Sequence, residues 1–392
     1  MTGVELPEQF REFAASVERD GAMTYAAICR QVADDPGLLA LMGEAPPDQR
    51  RPNLLLAAVH YLLLGGTDHE LARYYDTVAL AFGRPFAPPA ADVGPVFSRF
   101  CLEHRPALLD LLATRRTQTN EVGRCAALLP ALCAITAPDT NGLPMALLDL
   151  GTSAGLNLLF DHFHYLYRQR SDGTIEEAGD PTSGVTLECA VRGELADLPP
   201  FDHPPALVAR AGLDASPVDP TTEDGGRWLL ACAWPDQVER FERLRAAIDV
   251  ARVTLPRPTL HPGDMVDDLA AVAATVAPGH PLVVFHSWVA AYLTEDRQRE
   301  LVDAVAALAA DRPVHYLYAE AFAETPGLPT PPSPEPGPTS DLATALVYLH
   351  FPVAGRPSSP IRLADLHPHG RWLRWWPPRR PEARDVTPSG RV

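Results

Sequence analysis

Met145-Ala146-Leu147-Leu148-Asp149-Leu150-Gly151-Thr152-Ser153-Ala154-Gly155-Leu156-Asn157-Leu158-Leu159-Phe160 is the most informative stretch of this 392-residue chain. An apolar run ends in an acid, Asp149. Two glycines follow with three small residues between them, and then a helix-like apolar pattern. This order predicts a strand, a tight turn and a helix, in which a backbone without bulk approaches a ligand.

C-terminal to this unit, short apolar runs alternate with helical patterns, as in a parallel α/β sheet. Strands are expected at 146–150, 206–213, 259–261, 282–286 and 314–319, with helices over 226–250, 265–276 and from 287 to 310. Residues 162–205, with a β-like run at 185–191, read as an insertion. Two further β-like runs, 345–351 and 371–376, suggest a closing antiparallel pair. The proline-rich segment 326–338 is incompatible with a helix, and residues from 377 read as a disordered tail. Before residue 141 the pattern is helical throughout, over 7–33, 52–64, 70–82, 94–114 and 119–135, with proline-rich breaks at 46–47 and 85–89. The expected organisation is therefore a helical cap (1–140) on a Rossmann-like α/β domain (141–376).

Composition narrows the chemistry. A net charge of −17 argues against a broad nucleic-acid-binding face. All 33 basic residues are arginine, which removes a Walker lysine, a pyridoxal Schiff base and a lysine general base. The six cysteines are scattered without a C-x-x-C pair, as expected of free thiols in a reducing cytoplasm. The N-terminus lacks a basic region followed by an apolar core, so no signal peptide is expected. The apolar runs fall short of a membrane span.

Two chemistries fit the glycine turn. Gly151-Thr152-Ser153-Ala154-Gly155 matches the G-x-S-x-G nucleophile elbow of α/β-hydrolases, and a triad of Ser153, Asp264 and His286 has the right chain order. Asp149-x-Gly151-x-x-x-Gly155 is also how class I methyltransferases open their S-adenosylmethionine site. Position decides between them, because the turn ends the first strand of the sheet rather than a later one. Two further acids also fall at strand ends: Gly212-Leu213-Asp214-Ala215-Ser216-Pro217 resembles the methyltransferase segment whose acid holds the ribose hydroxyls, and Gly263-Asp264 resembles the one whose acid lies near the adenine. The expected fold is thus α/β and Rossmann-like of the class I methyltransferase type. Asp149, Gly151, Thr152, Ser153, Gly155, Asn157, Asp214 and Asp264 are its expected cofactor residues. Asp214 lies 63 residues beyond Gly151 (214 − 151), which requires the insertion at 162–205.

Long motifs carry a family resemblance across about residues 8–376. They are Pro52 to Tyr61, Gln118 to Arg124, the glycine turn, Arg210 to Asp214, Trp228 to Pro235, Phe285-His286-Ser287-Trp288 and His369-Gly370-Arg371-Trp372. On these the chain resembles an uncharacterised, largely actinobacterial family, domain of unknown function 2332 (DUF2332). The resemblance implies no established activity.

Remaining candidates come from single residues. In the polar segment Thr117 to Arg124, Asn120, Glu121 and Arg124 are expected substrate contacts, with helix capping as the alternative. His286 is the expected base and Glu320 a second, with a core histidine and a surface ion pair as their alternatives. The H-x-H pairs His162/His164 and His367/His369 lack a third ligand at convincing spacing, so no metal is expected. The reading is a methyltransferase using S-adenosylmethionine on a small molecule, without nucleic-acid or membrane partners. A serine hydrolase, or a binding module that has lost catalysis, are its alternatives.

Overall fold

The computed structural model describes residues 5–19, 21–85, 93–139, 144–201, 206–335, 344–353 and 355–377. All of the expected tail at 377–392 except Pro377, and parts of the proline-rich segments at 85–89 and 326–338, lie outside them. One sheet organises the α/β region. Among the described residues its eleven strands are β1 (Met145–Leu150), β2 (His164–Gln169), β3 (Ile175–Gly179), β4 (Thr186–Val191), β5 (Leu207–Asp214), β6 (Thr259–Pro262), β7 (Leu282–Ser287), β8 (Val314–Ala321), β9 (Thr344–Phe351), β10 (Ile361–Leu366) and β11 (Trp372–Trp375). Their order is β3-β2-β4-β11-β10-β9-β8-β7-β1-β5-β6.

The parallel part is β6-β5-β1-β7-β8, with β1 in the middle, paired to β5 on one side and β7 on the other. Every residue of β1 is buried. Leu147 joins one apolar cluster, and Ala146, Leu148 and Leu150 join another on the opposite face. Burial on both faces is why the strand reads as an unbroken apolar run.

Helices α1 (Leu6–Arg19), α2 (Met23–Asp34), α3 (Pro36–Leu39), α4 (Pro52–Leu64), α5 (Asp76–Ala81), α6 (Val93–Glu103) and α7 (Arg105–Thr114) precede the sheet, and α8 (Cys125–Asp139) leads into β1. The first seven share an apolar core that Trp228 enters from α9 (Glu223–Ala231). α8 and α10 (Val238–Val253) cover one face of the sheet, and α11 (Leu269–Thr275) and α12 (Glu295–Ala307) cover the other. Among the described residues no helix is long and apolar enough to cross a membrane.

Four local expectations are corrected. The helix expected over 7–33 breaks at Gly21, whose φ of +82° reverses the chain. The helix expected after the glycine turn is a kinked 3₁₀ segment, Leu156–His162. Leu156, Leu158, Leu159 and Phe160 are all buried there, and no single α-helical face holds all four. The insertion at 162–205 carries three strands rather than one, and β4 pairs with β11, so they prolong the main sheet. The closing element has three strands rather than two. The missed one, β10, has a register shift between Arg362 and Ala364, and the side chains of Arg362 and Asp365 bond to each other, breaking strict alternation.

Candidate functional site

The carboxyl ends of β1, β5, β6 and β7 open into a cavity of about 810 Å³. Crevices outside the strand ends are where open α/β sheets bind ligands. The glycine turn forms part of its wall. Gly151 and Ser153 have φ of +68° and +55°. A Cβ on Gly151 would lie 2.5 Å from the Val289 side chain, so only glycine fits. Gly212, beside Asp149 in the β1–β5 ladder, leaves room for Thr152, whose Cγ2 a Cβ would meet at 2.3 Å. Gly151 N–H donates to the Leu213 carbonyl (2.7 Å) and Ser153 N–H to Asp214 Oδ2 (2.8 Å), which fastens the turn to the end of β5.

Three acids line the cavity at successive strand ends. Asp149 is 3% exposed and accepts a bond from Thr152 Oγ1 (2.9 Å). Burial, aided by the charge of Asp214, pushes its carboxyl up to about 7, against the Thr152 bond. Asp214 accepts from Ser153 N–H on one oxygen and Ser216 N–H on the other (both 2.8 Å). Each oxygen thereby keeps a lone pair for a ligand. Asp264 accepts from the N–H groups of Val266 and Asp267 and from Arg297. Burial is outweighed by these contacts, which hold its carboxyl below the usual range. Asn157 also lines the cavity and receives a contact from Cys125 Sγ.

The opposite wall is the segment 116–124 with the loop from His367 to Arg371. Ser153 Oγ donates to Gln118 Oε1 and accepts from Asn120 Nδ2 (2.7 Å), and Asn120 Oδ1 accepts from Ala154 N–H (3.3 Å). Segment 116–124 therefore grips the glycine turn directly. Arg124 donates from Nε to the Pro368 carbonyl (3.0 Å) and from Nη1 to Ser287 O (3.0 Å) and Oγ (3.3 Å). Its guanidinium lies 6.0 Å from the Trp288 ring, and burial lowers its pKa.

Several site expectations are corrected by these contacts. His286 is fully buried, with Nδ1 on Glu320 (2.7 Å) and Nε2 on the Tyr316 hydroxyl (2.8 Å). Glu320 also accepts from Val289 and Ala290 N–H, so this pair braces the loop after β7 from beneath and does not line the cavity. The triad of Ser153, Asp264 and His286 is not assembled, because each member is bonded to other partners. Glu121 does not face a ligand. It is 1% exposed and binds Gly123 N–H, Arg243, Arg240 and His369. Burial alone would raise its carboxyl, but His369 and the two arginines hold it far below the usual range. Gly155 (φ +71°) lines a separate apolar pocket of about 210 Å³ behind the turn.

A family model described as "Uncharacterized protein conserved in bacteria (DUF2332)" matches residues 7–375. The chain belongs to this family. No curated protein matches it. Two solved structures are similar to this DUF2332 chain. The sugar N-methyltransferase KedS8 from Streptoalloteichus sp ATCC 53650 is 15% identical with a TM-score of 0.22, over 63% of this chain and 64% of that one. Streptomyces venezuelae DesVI is 16% identical with a TM-score of 0.21, over 62% of this chain and 65% of that one. Each match spans less than two thirds of the neighbour's own length.

Sequence reasoning missed Gln118, Trp288, Arg51 and Arg371 of this DUF2332 site. Gln118, Trp288 and Arg371 stand in the motifs given above, so a signal was present. Trp288 has φ +55°, a rare conformation for a bulky residue, and no sequence rule announces it.

Proposed function

We propose that this DUF2332 protein binds S-adenosylmethionine in the cleft and transfers its methyl group to a small molecule. The observation that carries the reading is Asp214. It ends the strand beside β1, is oriented by two backbone N–H groups, and is tied to the positive-φ turn that crosses the β1 end. A carboxylate so placed suits vicinal ribose hydroxyls, as in other open α/β sheets.

The residues present fit the cofactor. The cavity of about 810 Å³ lies within the range of small-ligand and cofactor sites. Gly151 gives the wall a stretch without a side chain, and Gly212 leaves the space that Thr152 fills. Asp214 would hold the ribose, Asp264 would sit by the adenine, and Asp149, Gly151, Thr152 and Asn157 would shape the methionine end. When bound, the cofactor supplies an electrophilic methyl on a cationic sulfur. This chain contributes binding, orientation and an anionic wall that favours that cation. The hydrolase reading has no support from the contacts of Ser153.

Isothermal titration with S-adenosylmethionine and S-adenosylhomocysteine tests the reading. Saturable binding of both is expected, and Asp214→Ala should weaken it at least tenfold, about 1.4 kcal/mol. Folded wild-type protein that binds neither overturns it.

A further inference from the structure

Charge in the cleft is sorted along the sheet. Asp149, Asp214 and Asp264 sit at the ends of β1, β5 and β6. On the other side of β1 lie the guanidinium groups of Arg124, Arg371 and Arg51, while Asp48, the remaining acid of the lining, is paired with Arg116. Arg124 is bonded to the end of β7 and to the β10–β11 loop, Arg371 comes from that loop, and Arg51 lies 5.4 Å from the Tyr292 ring beyond β7. Adjacent strands are about 4.8 Å apart, so the two signs occupy different halves of one cavity.

Arg124 is the telling residue. It is 8% exposed, and its bonds go to two carbonyls and a hydroxyl, all neutral. Among the described residues its Nη2 has no hydrogen-bond partner, and none of Arg51, Arg124 and Arg371 contacts a carboxylate. A buried guanidinium pays a desolvation cost that neutral acceptors do not fully return. Arg116, by contrast, also lines the cavity but is paired with Asp48. A planar fork left open toward a cavity matches a carboxylate or phosphate group.

We infer that the methyl acceptor is an anion, and that Arg124, with Arg51 and Arg371 at the rim, holds its carboxylate or phosphate. This rests on the methyl-transfer reading for the word acceptor, but the anion site stands or falls by itself. Its place on the β7 side, across β1 from Asp214 and Asp264, assigns it to the second ligand rather than to the nucleoside.

The test titrates malonate and inorganic phosphate into the folded protein at constant ionic strength, followed by tryptophan fluorescence and thermal shift. Saturable binding of at least one anion is expected. Arg124→Gln should weaken it at least tenfold and Arg371→Gln by about threefold. Arg371 is exposed, so that variant reports even if Arg124→Gln does not fold. No saturable binding by wild type, or unchanged binding by both variants, overturns the proposal. A second arm compares S-adenosylhomocysteine with 5′-methylthioadenosine, which lacks the amino-acid end. If Arg124→Gln weakens the first tenfold and leaves the second unchanged, the guanidinium belongs to the cofactor carboxylate and the acceptor proposal fails. Anion binding without nucleoside binding would instead sink the methyl-transfer reading and leave the anion site in place.

Discussion

Asp149 holds its proton to a higher pH in the folded chain than in the unfolded one. Its carboxyl moves from an ordinary 3.8 up to about 7, chiefly through burial. Between those values the folded state binds more protons than the unfolded one, so this residue's contribution to stability falls as pH climbs from about 4 to about 7. Asp149→Asn removes that slope. It should gain on wild type by roughly 2–4 kcal/mol at pH 8 relative to pH 4, read as the difference in melting temperature between the two proteins at each pH. A sulfonium bound nearby would ionise the same carboxyl. Affinity for S-adenosylmethionine should therefore rise by up to about tenfold between pH 6 and 8, with a shallower rise for the uncharged thioether product. Equal slopes for both ligands would place the sulfur away from Asp149. Glu121 has the opposite sign. Its depressed pKa contributes stability above the ordinary carboxylate range, and this is lost as pH falls below that range. Glu121→Gln strands Arg240 and Arg243, and should cost about 3 kcal/mol in urea unfolding at pH 7. Such roles explain what the sequence withheld. Glu121 and Arg124 lie in one polar run, yet one faces two arginines from α10 and the other a cavity. That difference depends on helices more than a hundred residues away.

At the scale of elements, the junction of β1 and β5 is the most constrained part of the wall. Thr152 occupies the space that a Cβ on Gly212 would need. Gly212→Ala should push the turn off the end of β5, break the bond from Ser153 N–H to Asp214, and abolish nucleoside binding by titration calorimetry. A melting temperature several degrees lower is expected with it. This part of the fold was legible because β1, buried on both faces, is a continuous apolar run, and both β1 and β5 finish at an acid or a glycine. Less regular elements were not. The apolar residues after Gly155 read as helix, but burying Leu156, Leu158, Leu159 and Phe160 together goes with a kinked 3₁₀ segment instead. β10 hides its alternation behind Arg362 and Asp365, which satisfy each other at a bulge. β2 and β3 are short and half-exposed, and their pattern is diluted by Glu176, Glu177 and Arg168.

Over the whole molecule, the crossover from β1 to β5 makes a long excursion. It leaves the middle of the sheet, lays down β2, β3 and β4 at the far edge, and returns to the strand next to where it began. The order of the parallel half follows from local patterns, whereas the attachment of β4 to β11 pairs residues 190–191 with 372–373, and no periodicity announces such a partner. Leu373 is fully buried at that seam, so Leu373→Ala should cost about 2–4 kcal/mol in denaturant unfolding. The same seam sets a timetable for synthesis. β4 ends at residue 191 and its neighbour begins at 372, so 180 residues (372 − 191 − 1) separate them. At about 5–20 residues per second, the ribosome takes roughly 9–36 s to deliver the missing strand. Throughout that interval the nascent edge, with Leu187, Cys189 and Val191 uncovered, is open to other chains. A chain stopped at Leu366 should therefore be cut by protease within residues 164–191 and aggregate, while the full-length chain resists both. The last strand to emerge acts as the latch for one of the first.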